Sequence, residues 1–97
     1  MNDNALMHLI IAEFLRDMPI QIEKLASAVA ALDAGQAEQQ AHRIKGAAAN
    51  MSAEALRETA SQMEQAGKTG DLDDLRRRIP LLRGRFVHLV EILETVE

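Results

Sequence analysis

The chain has no cysteine, tryptophan or tyrosine, and its only aromatic residues are two phenylalanines. Without cysteine it can form no disulfide, perform no thiolate catalysis and build none of the common zinc sites. So few rings offer no stacking platform for single-stranded nucleic acid. The core must be assembled from Ala, Leu, Ile, Val and Met, which favours closely packed helices, because aromatic and β-branched side chains are what strands select. Basic charge is also in short supply. Eleven Lys and Arg against 15 Asp and Glu leave a net charge of -4, so no nucleic-acid partner is expected. The start, Met1-Asn2-Asp3-Asn4, lacks the basic residues of a secretory signal. The apolar run after it is interrupted by His8 and Glu13 and is too short to span a bilayer. A cytoplasmic protein that does not bind membranes is expected. Gly-rich phosphate loops, Ser/His/Asp sets and paired carboxylates are missing too, so no autonomous enzyme is expected.

What remains is a chain of 97 residues, 47% apolar and 27% charged, which is the composition of one small globular domain over 1–97. Met7, Ile11, Phe14, Met18, Ile22, Leu25, Val29 and Leu32 recur at spacings of three and four. That period predicts one helix over about 4–32, kinked where Pro19 removes the bond to the carbonyl of Leu15. Leu6, Leu9, Ile10 and Leu15 add apolar surface outside this stripe. Asp33-Ala34-Gly35 should end the helix, with Gly35 as a left-handed cap. A second helix follows over about 36–50. Ser52 should open a third, whose inner stripe is Ala53, Leu56, Ala60 and Met63. Gly67-Lys68-Thr69-Gly70 reads as a loop, and Asp71 as the N-cap of a last helix carrying Leu75, Ile79, Leu82, Phe86, Leu89 and Leu93. The fold class expected is all-α: an antiparallel up-down-up-down four-helix bundle with an N-terminal helical extension.

The informative stretch is Ala41-His42-Arg43-Ile44-Lys45-Gly46-Ala47-Ala48-Ala49-Asn50. Ala37, Ala41, Ile44, Ala48 and Met51 mark the buried face of this helix. His42 points roughly 130° away from the centre of that face, into solvent. Lys45 flanks it, and Gly46 and Ala49 lie beside it with almost no side-chain bulk. Gly inside a helix costs about 0.5–1 kcal/mol relative to Ala, so Gly46 needs a reason. Clearance for a protein that must reach the imidazole is one. Gln39, three residues before His42 on the exposed side, could donate a hydrogen bond to a bound oxyanion or orient the ring.

His42-Arg43-Ile44-Lys45-Gly46, followed by Ala-rich helix and then Ala53, Leu56 and Met63-Glu64, resembles the H-x-(L/I)-K-G pattern of histidine-containing phosphotransfer (HPt) domains. The similarity runs from about Phe14 to the last helix. Where the family usually has Gly a few residues after the motif, this chain has Ser52. The resemblance implies a phosphorelay intermediate in two-component signalling. His42 would accept a phosphoryl group from a receiver-domain aspartate and pass it to another receiver. Lys45 would neutralise the phosphoryl oxygens, Gly46 and Ala49 would give clearance for docking, and Gln39 would lend support. The partners implied are response-regulator receiver domains and a hybrid sensor histidine kinase. No cofactor is implied on this chain, magnesium being bound by the receiver.

Three other readings compete. A helical module that associates through Leu6, Leu9 and Ile10 would not need His42. A chemotaxis-type kinase phosphoacceptor would take its phosphate from a kinase domain instead. A metal-binding bundle would use carboxylate–imidazole pairs one turn apart, and Glu38 with His42, and His88 with Glu91, have that spacing. Both pairs lie off the apolar stripes, so no metal site is expected. Arg76-Arg77-Arg78, Arg83 and Arg85 read as a solvated helix face, neutralised in part by Asp73 and Asp74.

Overall fold

A computed structural model describes residues 3–95. Four helices make up almost all of it: α1 (Asp3–Ala30), α2 (Ala34–Asn50), α3 (Glu54–Thr69) and α4 (Leu72–Glu94). Each packs against its neighbour in sequence, and α4 closes back onto α1, as in an up-and-down bundle. The stripes read from the sequence meet in one core, where Met18, Leu25, Ile44, Leu56, Met63, Leu75 and Leu82 are fully buried, but Met7 and Leu32, the two ends of the first stripe, are exposed. Phe14 and Phe86 tilt against each other at one end of it, with ring centroids 6.3 Å apart. Helix α1 runs without interruption through Pro19, and α4 through Pro80.

All three links between helices share one device, which the sequence reading placed incorrectly. At each helix end a residue in the left-handed region is followed by the first residue of the next cap. Leu32 has φ 60, Ser52 φ 55 and Gly70 φ 72. Around Leu32, Leu32 N bonds Val29 O and Asp33 N bonds Ala28 O. Ser52 N to Ala49 O with Ala53 N to Ala48 O, and Gly70 N to Gly67 O with Asp71 N to Ala66 O, repeat the pattern. These are Schellman closures, each satisfying carbonyls that the helix end leaves free.

Three expectations are thereby corrected. The left-handed cap of α1 is Leu32, and Gly35 lies inside α2, because the carboxylate of Asp33 accepts from Gln36 N and starts that helix two residues earlier, at Ala34. Ser52 does not open α3. It is the left-handed residue that ends α2, and the N-cap position falls to Ala53, which has no side chain to cap with. Gly67, Lys68 and Thr69 belong to α3, and only Gly70 leaves the helix. Gly67 is there for packing. A Cβ on it would fall 2.8 Å from Glu38 Cα, so its bareness lets α2 and α3 approach closely. Asp71 caps α4 as expected, accepting from Asp74 N.

Candidate functional site

The small residues of the α2 inner face, Ala37, Ala41 and Ala48, are fully buried and hold α2 tightly against its neighbours. Residues on the opposite face are therefore fixed in azimuth by packing. His42 is among them, with 65% of its side chain exposed. Its Nδ1 lies 2.9 Å from Oε2 of Glu64 on α3. The other oxygen of that carboxylate is 2.6 Å from Nζ of Lys45. One carboxylate thus ties together two residues that stand one turn apart on the neighbouring helix.

Glu64 is the buried member, with only 11% of its side chain exposed. An ionised carboxylate removed from water needs partners, and here it has two. The hydrogen bond from Lys45 is the strongest influence holding its carboxyl below the usual range, burial opposes it, and the bond from His42 adds to the lowering. Glu64 is therefore ionised at neutral pH and can only accept hydrogen bonds. Nδ1 of His42 must then carry the proton, which leaves the lone pair of the neutral ring on Nε2. The result is an exposed imidazole with a defined tautomer and orientation.

The structure brings His42 and Lys45 together, but through a residue for which the sequence suggested no role. Glu64 entered the reading only as part of the family-like pattern. A signal was present: it continues the Leu56, Ala60 series at the same spacing, so it is a carboxylate at the edge of the inner stripe. Gln39 is exposed, whereas its neighbour Gln40 turns inward and bonds Gln21 of α1. Gly46 and Ala49 are exposed on the same helix, and a Cβ at Gly46 would meet nothing within 4 Å. Gly46 is thus not a packing glycine.

The competing sites fare differently. Among the described residues no group of three His, Cys, Asp or Glu side chains could hold a metal ion. His88 and Glu91 approach only to 3.8 Å, both exposed. The arginines of α4 are largely engaged within the chain. Arg76 pairs with Asp73, Arg77 and Arg78 with Asp74, and Arg83 with Glu23 of α1. No helix among the described residues is long and apolar enough to cross a membrane.

A four-helix bundle that displays one oriented imidazole on its flank has the form of a helical carrier module. The family model described as Hpt domain matches residues 9–97. The chain belongs to the Hpt family, whose members carry phosphoryl groups on histidine in phosphorelays and are not themselves enzymes. No curated protein and no solved structure matches it.

Proposed function

We propose that this chain is a phosphorelay intermediate whose phosphoacceptor is Nε2 of His42. The observation that carries the reading is the bond from Nδ1 to Glu64, which leaves Nε2 as the nucleophile on an exposed ring. The Nε2 lone pair attacks phosphorus in the aspartyl phosphate of a receiver domain. The bond from phosphorus to the aspartyl oxygen breaks, and aspartate leaves as a carboxylate. Positive charge develops on the ring as the new bond forms, and the ionised Glu64 beside Nδ1 stabilises it. The reverse sequence delivers the group to a second receiver.

Phosphoryl transfer depends mostly on positioning and charge neutralisation, so a small bundle can serve without a cofactor of its own. The magnesium ion and its carboxylates belong to the receiver. Lys45 neutralises phosphoryl oxygens as a point charge and is kept near the ring by Glu64. Gly46 and Ala49 leave room for the receiver, and Gln39, on the same exposed side, supports the bound group. The partners are response-regulator receivers and a hybrid sensor kinase, in the cytoplasm. The test is to mix the chain with a phosphorylated receiver and magnesium. An acid-labile, base-stable phosphate should appear on the wild type and not on His42→Gln, whose melting should match the wild type. Phosphate retained by His42→Gln would move the acceptor elsewhere.

A further inference from the structure

Helices α1 and α4 have 28 and 23 residues, against 17 and 16 for α2 and α3. The difference leaves roughly 10–16 Å of each long helix beyond the α2–α3 turn, as a two-helix arm. The buried core reaches only to Phe14 on α1. On the arm side of it, Leu6, Met7, Leu9 and Ile10 are 45–65% exposed, and Ile92 of α4 is similarly exposed. A helix that is apolar on every side is normally buried on every side.

The positions of these residues show what is missing around them. Three turns along α1 from Ile10, on the same edge, Gln21 bonds Gln40 of α2. Ile10 therefore lies on the edge that α2 covers further down. Ile92 borders the groove that α4 forms with Ser52, Ala53 and Leu56 at the start of α3. It lies on the edge that α3 covers. Beside the arm, no described residue fills the two positions that α2 and α3 occupy in the bundle.

We infer that a second copy of this chain fills them. Two arms pack about a two-fold axis, so that two α1 and two α4 segments form a four-helix cluster. From Asn4 to Ala12 there is no Asp, Glu, Lys or Arg. A two-fold interface sets such a stretch against its own uncharged equivalent, whereas a charged partner would lose hydration there with nothing in return. Lipid is disfavoured, because a helix lying on a membrane carries Lys and Arg on its polar face, and this arm carries Glu91 and Glu94. The exposed side chains make an apolar patch on the order of 500 Å², already among the largest found on monomers. With half-buried Ile11, Val90 and Leu93 at its margin, the arm approaches the roughly 800 Å² per partner of a standard interface.

Sedimentation equilibrium of the whole chain, from low micromolar to near-millimolar concentration, tests this. A reversible monomer–dimer equilibrium is expected. Ile10→Glu and Leu6→Glu should each weaken it at least about tenfold while helicity stays at the wild-type level. Because the chain lacks cysteine, Ile10→Cys should form a disulfide-linked dimer, and Ala31→Cys, at the far end of α1, should not. A wild type that stays monomeric throughout overturns the proposal. So does a dimer indifferent to both glutamates, which would place the interface elsewhere. A monomer that co-sediments with phosphatidylserine vesicles would assign the patch to lipid and overturn it as well.

Discussion

Gly67 of α3 rests directly against the backbone of Glu38 in α2, at a distance that no other residue type could occupy. One turn along each helix from this contact stand Glu64 and His42, joined at 2.9 Å. The glycine sets the separation of the two helices at the level where the carboxylate must reach the ring. Structure and site are therefore coupled through a residue that touches neither the imidazole nor its partners.

Substitution at two of the helical glycines, Gly67 and Gly46, should accordingly act in opposite directions. Gly67→Ala forces the Glu38 backbone away and should destabilise the bundle by about 1–3 kcal/mol. Gly46→Ala meets open space and should stabilise it by up to about 1 kcal/mol, since it removes freedom from the unfolded chain. Thermal melts of the two variants make the comparison. In function the order differs: Gly46→Gln should slow transfer from a receiver far more than transfer from acetyl phosphate, which needs little room.

Glu64→Gln should leave the bundle folded and slow phosphate acceptance by His42, because the developing imidazolium loses its anion. The pH dependence of stability offers a separate check. Lys45, and after it His42, hold the Glu64 carboxyl below the usual glutamate value against the effect of burial. Its folded-state pKa is depressed, so its contribution is complete above about pH 4.5 and is lost as pH falls through the folded value. Chemical denaturation below pH 4.5 should therefore show a steeper loss in the wild type than in Glu64→Gln. Asp74, held down by Arg78 and then Arg77, adds to the loss in both.

Two neighbours on α2 should separate core from site. Ile44 is fully buried, and Ile44→Ala should cost about 2–5 kcal/mol. Lys45→Ala should cost less, about 1–2 kcal/mol, because it takes from buried Glu64 its stronger partner. Its larger effect should be on transfer rate or phosphohistidine lifetime, measured with a radiolabelled donor. A larger loss of stability from Lys45→Ala than from Ile44→Ala would contradict the burial of α2 described above.

Ser52→Gly and Leu32→Gly should each raise stability by about 1 kcal/mol, because both residues hold a left-handed backbone that disfavours side chains. Gly70→Ala, at the third such position, should lower it. Urea midpoints at constant slope would establish all three.

The fold was legible in the sequence because burial on a helix repeats every three or four residues, and the five buried positions Phe14, Met18, Ile22, Leu25 and Val29 of α1 stay in phase across Pro19. The same arithmetic put His42 outside and Ile44 inside, since azimuth on one helix depends on that helix alone. The ends of the helices were misread at Gly35, Ser52 and Gly67 for a common reason. Glycine and serine admit several uses, and the choice among them lies with partners elsewhere in the chain. The carboxylate of Asp33 claimed the start of α2, and the backbone of Glu38 claimed the space above Gly67. Glu64 shows the same limit at the site. Its separation of 22 residues from His42 is spanned by two helices and a turn, so only their close packing made a carboxylate on α3 the partner of an imidazole on α2.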